Sequence, residues 1–396
     1  MAIDNKDKKI LNVPHLRFTE FSGEWKEELL DRIATLSKGI GIPKEQLSED
    51  GDPCILYGEL YTKYKSEIIK QVESKTDIDG SKLKRSKAND VIIPCSGETA
   101  VDIATARCVP FDSILLGGDL NVISLHKYDG AFMSYQLNGK RKYDIARVAQ
   151  GVSVVHLYGE HLKTIKTYNP TLPEQQKIAI LLSLLDERIA TQNKIIEDLK
   201  KLKCAIIEKL YSKIQGKEYS YGQLFDVVNE RNKQMEYSNI LSASQEKGMV
   251  NRDDLNLDIQ FERSNINTYK IVRKGDYVIH LRSFQGGFAF SDKLGVCSPA
   301  YTILRPNSLL EYSYLSYYFT SRRFIKSLII VTYGIRDGRS INVEEWLNMK
   351  VVIPSKEHQL HTLNVLKRID DKVENEEKYA TCLSNQKQYL LRQMFI

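Results

Sequence analysis

The side chains best suited to recognition chemistry in this chain are forked or flat groups set among cations. Arg282 and Gln285 stand in LRSFQGG, Arg336 and Arg339 in YGIRDGRS, and Arg322 and Arg323 just ahead of Lys326. Guanidinium and carboxamide groups offer two hydrogen-bonding atoms in a fixed geometry, which is what bidentate reading of a base edge requires. A lysine ammonium neutralises phosphate without reading sequence. From Lys270 to Ile341 there are 11 Lys and Arg against 4 Asp and Glu, an excess of 7, whereas the whole chain carries only +6. The first half holds a weaker set. Tyr61, Lys63, Tyr64 and Lys65 alternate rings and cations in YGELYTKYKSE, followed by Ser96 and Thr99 in SGET, and by Arg107. Lys82, Lys84, Arg85, Lys87 and the run Lys140, Arg141, Lys142 add positive charge. Any one of these basic runs taken alone reads as a solvated face, and Tyr57 and Tyr61 read equally well as core residues of a strand. Together they point to nucleic acid, held by phosphate neutralisation and read by the forked groups.

Bond-making chemistry has no such support. There is no GxxxxGK[ST] loop, no HExxH, no GxSxG elbow and no cluster with metal-ligand spacing. GIGIP, Gly39 to Pro43, lacks a third glycine and reads as a turn or extended loop. NPTLP, Asn169 to Pro173, does not supply the (N/D)PP(Y/F) tetrapeptide of amino-methyltransferases. His126, His156 and His161 lack a partnering cysteine or carboxylate pattern. The six cysteines, Cys54, Cys95, Cys108, Cys204, Cys297 and Cys382, form no CxxC pair, so they read as reduced and mostly buried thiols. The opening MAIDNKDKKI lacks the apolar run of a signal peptide, and no segment approaches the roughly 20 apolar residues of a membrane span. A cytoplasmic protein without a metal or cofactor of its own is the expectation.

The elements that must position these groups repeat. At 396 residues, with 42% hydrophobic and 27% charged composition, the chain suits two or three domains. Leu181 to Ser212 has the apolar spacing of one long helix, and Val365 to Phe395 echoes it. Asp186 and Asp370, Lys194 and Lys378, Leu199 and Leu383, Lys203 and Lys387, and Tyr211 and Phe395 are all 184 apart. Each half opens with an amphipathic segment, WKEELLDRI or YGQLFDVV, in which Leu30-Asp31 aligns with Phe225-Asp226. Each then has a short apolar strand, NDVIIP or GDYVIH, a glycine turn, and a proline stop at Pro173 or Pro354, with a slip of one to three residues around the prolines. The frames agree while the globular interiors do not, which suggests one partner bound twice and a different target for each interior.

LPEQQKIAILLSLLDERI (Leu172 to Ile189), its weaker second copy IPSKEHQLHTLNVLKRIDDKV (Ile353 to Val373) and the opening VPHLRFTEFSGEWKEELLDRI (Val13 to Ile33) resemble the specificity subunit of type I restriction-modification systems, nearly end to end. In the second copy Gln175-Gln176 aligns with His358-Gln359, one residue shifted, and Thr362 replaces Ile178. The resemblance implies an α+β fold: two target-recognition domains, at 1–170 and 215–353, separated by two long helices, at 171–214 and 354–396, that pair as an antiparallel coiled coil in a pseudo-twofold repeat. It further implies a non-catalytic chain that reads an asymmetric bipartite site in double-stranded DNA. Such a chain recruits two modification (methyltransferase) subunits and, through them, two restriction subunits, with S-adenosylmethionine, ATP and Mg in those partners. A helix from Glu174 to Ser212 spans about 55 to 60 Å at 1.5 Å per residue, enough to act as a ruler between half-sites. The alternatives are a coiled-coil adaptor that binds proteins and a fused methyltransferase-nuclease.

The spacing also predicts how the helices meet. One seam is Leu185, Ile189, Gln192, Ile196, Leu199, Lys203, Ile206 and Leu210; its echo is Ile369, Val373, Glu376, Ala380, Leu383, Lys387, Leu390 and Met394. Setting polar against polar makes facing residue numbers sum to 579, with Lys203 opposite Glu376 and Gln192 opposite Lys387.

Overall fold

The structure, a computed structural model, describes residues 12–244, 247–254, 263–280, 287–333 and 340–396. The chain divides into two compact units, Met1–Asn193 with Lys378–Ile396, and Lys194–Glu377. The first is built on an antiparallel four-stranded sheet in the spatial order Ala34–Lys38, Leu120–Leu125, Asp90–Pro94, Arg107–Val109. DVIIP is buried at all five positions because the sheet is covered on both faces. Val91, Ile93 and Ile123 pack with Leu30, Met133, Leu137 and Leu162 on one side; Ile92, Leu120 and Val122 pack with Ile55, Leu60 and Leu116 on the other. A strand covered twice needs no polar alternation.

The second unit repeats this plan. Its sheet runs Phe225–Val228, Thr302–Pro306, Tyr277–Ile279, Phe288–Phe290, with every pairing antiparallel. Tyr277, Ile279, Leu304 and Phe288 face an aromatic core in which Tyr221 stacks on Trp346 at 4.2 Å, while Val278, Ile303 and Ala289 face Leu241, Met249 and Val272. In each unit a two-stranded ladder links the opening strand to the strand before a long helix: Lys26–Leu29 with Lys166–Asn169, and Lys217–Ser220 with Lys350–Ile353. These ladders correct the internal alignment of the openings. Leu30 and Tyr221 are the buried residues that follow the ladder strands, and Phe225 opens a sheet strand as Ala34 does.

The long helices are Leu172–Ser212 and Lys356–Gln393. Their entrances show no slip of register. Buried Gln175 donates from Nε2 to the Pro170 carbonyl (2.8 Å) and accepts from the Asp129 N–H (2.9 Å); buried Gln359 donates to the Pro354 carbonyl (3.1 Å) and accepts from the Glu311 N–H (2.8 Å). The residue equivalent to Pro354 is therefore Pro170, not Pro173, and Gln359 matches Gln175 at the full offset. The shared task of satisfying a buried backbone donor and a carbonyl has kept both glutamines in place.

Within each unit the two helical segments run antiparallel, and all sixteen seam residues are buried or half-buried. The expected register is not the one found. Lys203 pairs with Asp370 and Lys387 with Asp186 (2.6 Å), so facing positions sum to 573 rather than 579. The missing partner was a flank residue. Asp186 and Asp370 sit one position beyond the seam residues Leu185 and Ile369, and each is fixed by a tyrosine from the globular part of its own unit.

Candidate nucleic-acid interface

The first unit carries an open cavity of about 710 Å³. Tyr57, Leu60, Tyr61 and Thr62 come from the turn and short helix Glu59–Thr62; Ser96 and Gly97 from a two-residue strand; Glu98, Asp102 and Thr105 from around the helix Ala100–Ile103. Arg107 comes from the sheet edge, and Ser153 and Val154 from the turn before Val155–His156, which pairs antiparallel with Ser96–Gly97. Local chemistry holds these pieces in place. The Tyr61 hydroxyl donates to the Ser96 carbonyl at 3.1 Å, and Thr99 caps its helix by accepting from the Asp102 N–H at 3.1 Å while donating to the Asp102 carboxylate at 2.7 Å. Burial raises the Tyr61 phenol above its ordinary value, so it remains a neutral donor.

Of the groups expected to face DNA, the fold thus gathers Tyr61, Ser96 and Arg107 around one cavity, with Thr99 at its edge. It disposes of others. Tyr64 is buried in the core, because its ring closes the apolar layer over Leu60 and Ile69. Lys63 is tied to Glu59 at 2.8 Å and to the Ser74 hydroxyl at 2.6 Å, and Lys65 donates to the Tyr61 carbonyl at 3.1 Å. The guanidinium of Arg107 donates to the carbonyls of Tyr64 (2.9 Å), Ala106 (2.9 Å) and Leu60 (3.5 Å), and its burial lowers its pKa. It serves as a brace between sheet edge and short helix, with its fork already engaged. Glu98 and Asp102 were missed by a search for basic groups; Glu98 stands within SGET and Asp102 three residues after it, and that was the available signal.

In the second unit Arg282, Gln285, Arg336 and Arg339 lie outside the described residues. Arg322 and Arg323 are exposed at the start of the helix Arg322–Ser327, whose first turn is capped by Ser321. Part of the basic excess is consumed internally. Arg305 holds the buried Asp276 carboxylate through Nε and one Nη, each at 2.9 Å, Arg273 meets Glu230 at 2.9 Å, and Lys270 donates to the Tyr301 carbonyl at 2.7 Å.

Each globular part is fastened to its long helices by the same three residue types. Tyr135 donates to Asp186 (2.7 Å), which pairs with Lys387, whose ammonium lies 5.6 Å from the centre of the Tyr135 ring. In the other unit Tyr317 donates to Asp370 (2.7 Å), which pairs with Lys203, 5.3 Å from the Tyr317 ring. The first cluster has one extra member. Glu67 contacts Lys387 at 2.5 Å, and burial raises its carboxyl above the ordinary range, opposed by Lys387 and reinforced by Asp186. Burial, then the adjoining Asp186, raises the Tyr135 phenol as well.

No helix among the described residues is long and apolar enough to cross a membrane. Residues 23–201 match the family model for the type I restriction modification DNA specificity domain. The type I restriction enzyme MjaVIII specificity subunit of Methanocaldococcus jannaschii is 25% identical over 324 residues, covering 73% of this chain and 74% of that protein. Two solved structures share the fold nearly end to end. A type I restriction-modification S subunit from M. genitalium has a TM-score of 0.56 at 17% identity, covering 97% of this chain and 99% of the other. A chain from a structure titled for complex assembly and conformational transition of the type I R-M system has a TM-score of 0.60 at 14% identity, covering 94% and 97%.

Proposed function

We propose that this chain, like the specificity subunits it resembles, serves a type I restriction-modification system and reads an asymmetric, bipartite site in double-stranded DNA, one half with each unit. It performs no catalysis itself. It directs two modification subunits, and through them two restriction subunits; S-adenosylmethionine, ATP and Mg act in those partners. The observation that carries this reading is a repeated frame around unequal interiors. Sheet order, entrance glutamine and Tyr–Asp–Lys fastening recur, whereas the intervening sequences differ, with the strong basic excess from Lys270 to Ile341 answered only by a weaker set in the first half. Two like frames suit two copies of one partner, and two unlike readers suit two unlike half-sites. The groups proposed to reach DNA are Tyr61, Ser96 and Thr99 in the first unit, with Arg282, Gln285, Arg322, Arg323, Arg336 and Arg339 in the second.

The test is an exchange. Replacing Tyr219 to Ile353 by the matching segment of a relative, and mapping methylated adenines in cells that carry the partner subunits, is expected to change one half of the methylated site and preserve the other. A change in both halves would refute independent reading. Binding of the assembled complex to its site is also expected to weaken linearly with the logarithm of salt concentration, as phosphate neutralisation demands; a salt-independent interaction would instead favour a protein adaptor.

A further inference from the structure

Val152 is 98% exposed on a turn that is closely held. Gln150 and His156 exchange two backbone hydrogen bonds across it, at 2.9 and 2.7 Å. Gly151 adopts φ +120°, where a side chain would be strained, and a Cβ there would lie 2.1 Å from the Val154 carbonyl oxygen. The turn is closed by the Gln150–His156 bridge, the following residues Val155 and His156 pair with Gly97 and Ser96, and Glu98 lies in the bend directly after that partner strand. Lone exposed apolar residues are ordinary. The surroundings of this one are not. Ser153 and Val154 line the cavity with Glu98 and Asp102, and the Glu98 carboxylate makes no hydrogen bond or ion pair among the described residues. Beside the turn, His156 stacks on Tyr158 at 6.1 Å, and the Lys38 ammonium lies 5.5 Å from the Tyr158 ring centre.

We propose that the tip of this turn is the base-reading element of the first unit: Val152 meets a thymine methyl group in the major groove, and the Glu98 carboxylate accepts from the exocyclic amino group of a neighbouring adenine or cytosine. The inference rests on the DNA-reading function proposed above. A narrow projecting turn can enter the major groove, where the thymine methyl and the amino groups of adenine and cytosine are displayed together. Two carboxylates at the cavity repel phosphate, so the groups that face them must be hydrogen-bond donors. Lys38 and His156 on the flank are placed for the phosphates that fix register. Because the tip is already ordered, little conformational freedom is lost on binding.

The experiment uses the full chain assembled with its modification subunits, on a duplex containing the methylated site found by genome mapping. The half read by the first unit is identified as the half that the Tyr219–Ile353 exchange preserves. Thymines in that half are replaced singly by uracil, which removes only the methyl group, and amino-bearing bases by analogues that lack the amino group. For the wild type, one uracil and one amino deletion are each expected to weaken binding by about tenfold. V152G is expected to be indifferent to that uracil, and E98A to that amino deletion, with the other half-site read as before and an unchanged melting temperature. Wild-type discrimination by both variants would overturn the proposal alone. So would loss of assembly with the modification subunits, which would make the tip a protein contact. Failure of the wild-type complex to prefer its site over random duplex would overturn the DNA reading itself.

Discussion

Removing the Lys387 charge while keeping its stem, as Lys387→Met, is expected to separate the two fastening clusters by their energetics. Lys387 is 2.6 Å from Asp186 and 2.5 Å from Glu67, and the three side chains are 13%, 7% and 10% exposed. Without the ammonium, two carboxylates would face each other out of water, and breaking such a buried network costs about 3–5 kcal/mol. The matching change in the second unit, Lys203→Met, acts on a pair 29% and 36% exposed, where solvent screening leaves under about 1 kcal/mol. Since domains of comparable size shift by roughly 2–4 °C per kcal/mol, K387M should lower the melting temperature of the first unit by about 6–20 °C, and K203M should shift the second by no more than about 4 °C. Scanning calorimetry of both variants makes the comparison. Burial already raises the Glu67 pKa, so protonation at low pH relieves the unpaired charge, and the K387M loss should be smaller at pH 5 than at pH 8. Adding Glu67→Gln and Asp186→Asn to K387M should recover part of the stability. Equal losses from K387M and K203M, or no recovery in the triple variant, would refute the reasoning that burial decides the strength of these clusters.

Glu67→Gln in the otherwise native chain tests the same carboxyl by linkage. A raised folded-state pKa means that the folded form holds its proton longer, so this residue's contribution is full below about pH 4 and is lost as pH rises through the folded value. The variant's melting temperature should therefore fall less than the wild type's across that interval; superimposable pH profiles would count against the assignment. Gln175→Ala leaves the buried Asp129 N–H and Pro170 carbonyl without their partner and should cost about 1–3 kcal/mol for each, measured by urea denaturation, with a similar loss for Gln359→Ala. Asp276→Ala removes the acceptor of the Arg305 fork and of the Arg273 N–H, and a loss of about 3 kcal/mol is expected in the second unit; a change under 1 kcal/mol would show that Arg305 finds another partner.

The internal repeat, both long helices and the central strands DVIIP and GDYVI are legible in the residues alone. Hydrophobic spacing is a local record of which side of an element leaves water, and a 184-residue offset needs only comparison of positions. The family resemblance is legible for the same reason, since it rests on contiguous motifs such as LPEQQKIAILLSLLDERI. Helix register was not. The seam offered Glu376 and Gln192 as polar partners for Lys203 and Lys387, but the residues that meet those lysines are Asp370 and Asp186. The aspartates are aimed by Tyr317 and Tyr135, which lie more than fifty residues away in the chain. The readers were separated in the same way. Tyr61, Tyr64 and Arg107 look alike as candidates in the sequence, yet the packing of the sheet edge buries Tyr64 and spends the Arg107 donors on backbone carbonyls, and it brings Glu98 beside Val154 from the far end of the domain. Local pattern determined which segments order and which faces turn inward, because burial periodicity is set along one segment. Tertiary structure decided which charge met which, because a partner's identity depends on groups that only packing brings within hydrogen-bonding distance.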